Sequence, residues 1–233
     1  MIITIEGIDG SGKGTQAVLL EEAYRKLGVK VKMFSFPSYD KTFFGKEVGS
    51  YLRGEYGSID QVHPKMASIL YACDRFERTK EIDKLLAEGY VIICDRYTDS
   101  NIAHQVSKIT DVKEQNEMIK WLDEMEFNVL GLNRPTVTLF LDVPHNITKE
   151  LVLLKDERSY TSDDEDMHES NYDYLKNTSL LYNRLCEVRG WEKINCVHTN
   201  GDMMSVEEIH SKIMLKTTPL VSKYVEQLEK ELV

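Results

Sequence analysis

Residues 7–15 read Gly-Ile-Asp-Gly-Ser-Gly-Lys-Gly-Thr, directly behind the apolar start Met1-Ile2-Ile3-Thr4-Ile5 and ahead of a helical pattern that begins at Gln16. Glycines at this density let the backbone curl until successive N–H groups point inward, and the following helix adds partial positive charge at its N-terminus. Such a loop holds phosphate. Gly10, Ser11, Gly12, Lys13, Gly14 and Thr15 are the candidate contacts for a nucleoside triphosphate, and Lys13 is long enough to reach its β- and γ-phosphates. The strict pattern G-x-x-x-x-G-K-[ST] is missed in one place, because Gly14 follows the lysine and the hydroxyl arrives one residue later, at Thr15. A turn that merely happens to be rich in glycine is the competing reading. The strand-to-helix context argues against it.

A second constellation faces the first. Asp95-Arg96-Tyr97 follows the continuous apolar run Tyr90-Val-Ile-Ile-Cys94, which suits a strand buried on both faces of a parallel sheet. The tripeptide therefore sits at a strand's carboxyl end, where open α/β sheets bind ligands. Arg96 can grip a phosphate with two parallel hydrogen bonds, and Asp95 can hold Mg²⁺ through water. An isolated Asp-Arg pair would read as a surface ion pair; the position beside the phosphate loop favours function.

These groups need a scaffold of alternating strands and helices. Strands are expected at 2–6, 29–36, 90–94, 136–142 and 193–198. Helices are expected at 16–27, 45–53, 63–88, 111–127, 147–154, 172–188 and 206–215. Beyond these, Thr218 can cap a further helix, Pro219 suits its first turn, and Leu220, Tyr224, Leu228 and Leu232 recur every four residues. The expectation is α/β: a parallel sheet wrapped by helices on both faces, one domain over 1–233, with an extra C-terminal helix at about 218–232.

Composition bounds the partners. A chain of 233 residues with 42% hydrophobic and 29% charged residues is of ordinary globular make-up. Its net charge of −10 argues against general nucleic-acid binding while leaving room for a local basic pocket. The four cysteines, Cys73, Cys94, Cys186 and Cys196, show no C-x-x-C spacing. With a strand starting at Met1 and no apolar stretch near the ~20 residues a bilayer requires, the expectation is no membrane partner and a cytoplasmic setting.

Read together and in order, the motifs resemble those of the thymidylate kinase family, nucleoside monophosphate kinases of the P-loop NTPase type. The matching elements are the loop at 7–15, Phe36-Pro37-Ser38-Tyr39, Leu70-Tyr71-Ala72-Cys73-Asp74-Arg75, and the run from Asp95-Arg96-Tyr97 through Ser100-Asn101-Ile102-Ala103-His104-Gln105. Thr138-Leu-Phe-Leu-Asp-Val-Pro144 is similar to the family's penultimate strand. The resemblance implies transfer of the γ-phosphoryl of ATP to dTMP, giving dTDP and ADP for dTTP synthesis, with Mg²⁺ and a homodimeric assembly. It implies that Tyr71 stacks on the thymine, Arg75 bonds its O4, and Asn101 and Gln105 approach its polar edge. Tyr39 and Arg96 would hold the acceptor phosphate, with Ser100 and His104 beside them, and Asp9 would face the sugar hydroxyl and the metal. Tyr71 and Arg75 are four apart and so share one helix face, which agrees. Taken alone, Tyr71 reads as a core aromatic and Arg75 as an ion pair with Asp74 or Glu77.

The chain departs from the family pattern at several positions. His104 stands where a tyrosine is usual, and Ser38 replaces a frequent arginine. A small lid is expected at about 155–170, where the family's Asp-Arg-x-Glu becomes Asp166-Met167-His168-Glu169. Metal candidates are Asp9, Asp95, Asp166 and Glu169. Because no base stands between Gly7 and Lys13, the cation completing the catalytic set of Lys13, Asp95 and Arg96 is sought just before the acidic stretch, in Arg158 or Lys155. The resemblance further implies a cis Phe36–Pro37 peptide. Competing readings are a kinase of another nucleotide or deoxynucleoside, or a P-loop switch or partitioning ATPase. The ending Gly-Lys-Gly-Thr is similar to that of adenylate kinases.

Overall fold

In the computed structural model, which describes residues 1–58, 61–144, 147–148 and 172–231, five strands lie in one sheet. They are β1 (Ile2–Glu6), β2 (Val31–Ser35), β3 (Val91–Asp95), β4 (Val137–Asp142) and β5 (Glu192–Asn195), in the spatial order β2-β3-β1-β4-β5 and parallel throughout. Continuous apolar runs form β1, β3 and β4 because both faces of these central strands are covered, so alternation would expose nothing to water. Ile3, Ile5, Ile93, Leu139 and Leu141 pack on one face against α1 (Lys13–Lys26) and the C-terminal α7 (Val206–Glu231). On the opposite face, Ile2, Ile92 and Cys94 meet Ile82 of α3 (Pro64–Ala87). Further along that side, Phe140 meets Tyr182 among α4 (Thr98–Val106), α5 (Val112–Asp123) and α6 (Tyr172–Arg189). No described helix is long and apolar enough to cross a membrane.

Local chemistry sets most helix ends. Thr42 accepts from the Gly45 N–H and starts α2 (Phe43–Leu52), two residues before the expected start. His63 caps α3, with Pro64 in its first turn. The helix expected to run to residue 127 instead changes pitch after Asp123, and Glu124–Val129 form a π-helical turn. Residues 147 and 148 are helical, and the rest of the helix expected at 147–154 lies outside the described residues.

The C-terminal expectation needs correction. Pro219 does not open a separate helix; it lies inside α7, which runs unbroken from Val206. Proline there removes a hydrogen bond to Leu215, whose side chain is exposed, while tertiary anchors hold the helix on either side. Thr217 accepts from the Tyr24 hydroxyl at 2.6 Å and donates to the Ile213 carbonyl at 2.9 Å, both in the core. Of the expected stripe, Tyr224 and Leu228 are half-buried, Leu228 beside Gly89, whereas Leu220 is exposed and Val221 and Val225 fill out the inward face. A helix of 3.6 residues per turn drifts off any strict four-residue stripe.

Candidate active site

The glycine loop joins β1 to α1 with the curl its composition predicts. Gly10 and Gly12 adopt φ of 76° and 84°, a region costly for residues with a Cβ, and Gly12 is the residue from which α1 begins. Gly14 has a different reason to be glycine: a Cβ there would stand 3.1 Å from Asp95 Oδ2. The residue that breaks the strict loop pattern thus lets the carboxylate at the end of β3 close onto the loop. Lys13 is buried and donates to the Ile8 carbonyl at 2.7 Å. Burial lowers its pKa to about 8, with neighbouring Arg96 acting in the same direction and Asp9, Asp95 and Glu6 opposing. Thr15 is exposed on the first turn of α1.

Arg96 follows β3 and is the one described non-glycine residue with positive φ, at 64°. Strain of that kind collects at functional sites. The turn sends its guanidinium back under the loop, where Nη1 reaches Gly7 O at 3.2 Å and Ser100 Oγ at 3.0 Å, and Nη2 pairs with Asp9. His104 Nε2 lies 3.3 Å from Arg96 Nη1, and its Nδ1 lies 2.8 Å from the Tyr174 hydroxyl. Burial opposes the charge on Arg96, but Asp9, Tyr182, Asp95 and Glu6 more than offset it and hold its pKa well above the usual value.

Beside Arg96 opens a cavity. Its floor and walls bring together Asp9, Tyr39, Tyr71, Arg75, Ser100, Asn101, His104 and Gln105, all drawn from the expected acceptor site. Phe36 and Pro37 line it too, joined by a cis peptide as the resemblance implied. Tyr71 meets Tyr51 edge-on, with ring centroids 6.3 Å apart. Arg75 pairs with neither Asp74 nor Glu77. Asp74 instead accepts from the Ser38 N–H and the Thr42 hydroxyl, and Glu77 accepts from the N–H groups of Phe43 and Phe44. The partner of Arg75 is Glu126, held bidentately at 2.7 and 2.6 Å with both side chains almost fully buried.

A glycine loop facing a half-buried arginine across adjacent strands, with an aromatic and amide-lined cavity alongside, is an arrangement for phosphoryl transfer. A family model described as thymidylate kinase matches residues 5–213. The chain belongs to the thymidylate kinase family. A thymidylate kinase phosphorylates dTMP to dTDP, and this is the reaction the site has to accommodate. A probable thymidylate kinase of Thermococcus onnurineus is 32% identical over 219 residues, covering 92% of this chain and 95% of that one. A thymidylate kinase of Mycobacterium tuberculosis is 29% identical, covering 82% and 87% respectively. The fold is also that of a solved thymidylate kinase from Candida albicans, with a TM-score of 0.68 at 22% identity, covering 96% of this chain and 92% of that one.

Two residues of the site were not picked out from the sequence. Glu6 ends β1 fully buried, accepting from the Tyr97 N–H at 2.8 Å and from the Ser100 hydroxyl, so it ties the glycine loop's strand to the acceptor wall. Burial raises its pKa, against the pull of Ser100, Arg96, the Tyr97 amide and Lys13. An acid closing an apolar strand was a usable signal. For Glu126 the usable signal was spacing, since it lies four and eight residues after Leu122 and Met118, the buried residues of α5. Arg158, Lys155, Asp166 and Glu169 lie outside the described residues. Among the described residues no group of three or more His, Cys, Asp or Glu side chains is arranged to hold a metal.

Proposed function

We propose that this enzyme binds ATP on the glycine loop and dTMP in the cavity beside Arg96, and moves the γ-phosphoryl group in line from one to the other. The observation that carries the reading is the junction of the two sites: the Arg96 N–H donates to the Ile5 carbonyl at 3.1 Å, so the acceptor clamp is bonded to the strand that bears the donor loop. A phosphate monoester already carries its nucleophilic oxyanion, so no general base is required, and catalysis comes from positioning and charge neutralisation. Lys13 leaves the Ile8 carbonyl for the β- and γ-phosphates. Arg96 and Tyr39 hold the acceptor phosphate, Tyr71 stacks on the base, and Arg75, Asn101 and Gln105 read its edge, with Ser100, His104 and Asp9 around the sugar and phosphate.

Mg²⁺ suits the oxygen donors present. It asks for one or two protein oxygens beside the phosphates, and the exposed Thr15 hydroxyl and the Asp95 carboxylate, drawn close by the missing Cβ of Gly14, supply them. When bound it spreads the charge of the transferring group. Asp9 is paired with Arg96, which leaves it a secondary candidate, with Asp166 and Glu169 as lid candidates. The expected lid at about 155–170, with Arg158, lies outside the described residues, and we propose it as part of the same single domain. We further propose a homodimer, supported by the exposed Met66 and Phe76 flanking Ile69 and Cys73 on one stripe of α3, and a cytoplasmic role in dTTP supply. Light scattering reporting a monomer at micromolar concentration refutes the dimer.

The activity is tested by ADP release with dTMP, dUMP, dGMP, dAMP and thymidine as acceptors. Fastest turnover per KM on dTMP is expected, and preference for thymidine or a purine nucleotide overturns the assignment. In Arg158→Ala, kcat should fall about 10³-fold with dTMP affinity nearly unchanged. Turnover within a few-fold of the parent removes Arg158 from the mechanism.

A further inference from the structure

The two amides of the cavity are each held by a charge, and the charges have opposite sign. Asn101 Nδ2 donates to the Ser68 carbonyl at 3.0 Å and to the Glu126 carboxylate at 2.8 Å. Both partners can only accept, so the amide nitrogen must face them and Oδ1 must face away. Gln105 is arranged the other way round. Lys108 Nζ, which can only donate, lies 2.9 Å from Gln105 Oε1, so Nε2 is turned from the ammonium. A primary amide is nearly symmetrical in shape, and its partners decide which end points where.

The two atoms left over are Asn101 Oδ1 and Gln105 Nε2. Both are buried and have no hydrogen-bond partner among the described residues, and both side chains line the cavity. Arg75 adds another donor, since Glu126 takes its Nε and Nη2 and leaves Nη1. Buried polar atoms without partners are costly, and a ligand that supplies those partners recovers the cost.

We infer that Glu126 and Lys108 are the positioning residues that set the base specificity of this cavity: the carboxylate fixes Asn101 as an acceptor, and the ammonium fixes Gln105 as a donor. Two donors and one acceptor complement an imide edge, in which a ring N–H lies between two carbonyls. They reject an edge with an amino group and a ring nitrogen lone pair, because like groups then face each other. The inference rests on the proposed reading of the cavity as the acceptor's base pocket. It adds that neither Asn101 nor Gln105 encodes the choice alone, since either amide, released, can turn over.

Glu126→Gln tests this with almost no change of shape. A glutamine can donate, so only the Ser68 carbonyl still holds the Asn101 nitrogen, and the amide can turn its oxygen toward residue 126 by giving up that one bond. The probes are dTMP and 5-methyl-dCMP, which differ only at the base edge, with ATP as control, all titrated calorimetrically. In Glu126→Gln, dTMP affinity should fall about ten- to a hundredfold, the preference for dTMP over 5-methyl-dCMP should narrow at least tenfold, and ATP affinity should be unchanged. Lys108→Met should narrow the preference in the same way, and Lys108→Arg, which keeps a donor, should restore it. Lys108 also provides the test should Glu126→Gln fail to fold. A parent enzyme that prefers dTMP, with that preference intact in both variants, overturns the inference alone. A parent that binds 5-methyl-dCMP as tightly as dTMP overturns the acceptor reading, and this inference with it.

Discussion

Replacing Arg75 by Met removes one member of a buried ion pair, and the structure fixes what remains. Arg75 is 2% exposed and Glu126 1%, and their two hydrogen bonds of 2.7 and 2.6 Å are charge-assisted. Without the guanidinium, the carboxylate keeps only the Asn101 amide at 2.8 Å. Stranding a buried charge in this way costs about 3–5 kcal/mol. For a domain of this size 1 kcal/mol lowers Tm by about 2–4 °C, so Arg75→Met should melt roughly 6–20 °C below the parent. Glu126→Leu leaves the arginine stranded and should lose a comparable amount. The double variant, with both charges gone, should be far less destabilised than the sum of the two, because an apolar pair can replace a buried ion pair at little cost. Urea denaturation of the four proteins gives the coupling energy directly. Additive losses, or a loss below about 1 kcal/mol in Arg75→Met, would refute the premise that this pair is buried and isolated from solvent.

Three further outcomes follow from individual groups. With Lys13 lowered to about 8 by burial, ATP binding at pH 8 should take up about half a proton, seen by calorimetry in buffers of different ionisation enthalpy. The uptake should be absent in Lys13→Arg; equal uptake in both excludes Lys13 as its source. Burial pushes Asp99 up to about 7 despite its pairing with Arg189, so the folded state binds the extra proton between about pH 4 and pH 7. Stability should therefore fall as pH rises through that window and level off above it, by at most roughly 4 kcal/mol, and Asp99→Asn should flatten the slope. Parallel stability curves for parent and variant would show that Asp99 titrates normally. Ending the chain after Lys216 removes the Thr217–Tyr24 bond, the buried Val221 and the half-buried Tyr224 and Val225, so roughly 3–6 kcal/mol should be lost in urea denaturation. An unchanged midpoint would mean the last turns of α7 contribute nothing to the core.

Much of the fold was legible because the central strands carry their own signature. An apolar run such as Tyr90–Cys94 ending at Asp95-Arg96 specifies a covered parallel strand and marks the ligand end of the sheet, and the glycine loop fixes the start of α1. The motif resemblance paired Tyr71 with Arg75, and their four-residue spacing agreed. The partner of Arg75 could not, because local charge favoured Asp74 and Glu77, and both are engaged by backbone and hydroxyl donors nearer to them. Glu126 pairs with Arg75 from a π-helical turn far along the chain, a long-range contact that no local charge pattern announces. Pro219 misled for the reverse reason: local preference spoke for a helix start, and contacts with Tyr24 and the core overrode it.

The bond between the Arg96 amide and the Ile5 carbonyl makes the sheet itself the gauge of the reaction. Adjacent strands stand ~4.8 Å apart, a spacing set by backbone hydrogen bonds and indifferent to side chains. Loop and clamp issue from two such neighbours, with Ile5 opposite Asp95, so under the proposed placement of the two nucleotides the gap between their phosphates is fixed before either arrives. Redesign of the base cavity, built from helices farther along the chain, can therefore leave that gap untouched. The same scaffold could be given a new acceptor by altering the walls alone, while any change that slips β3 against β1 by one residue would disable every acceptor equally.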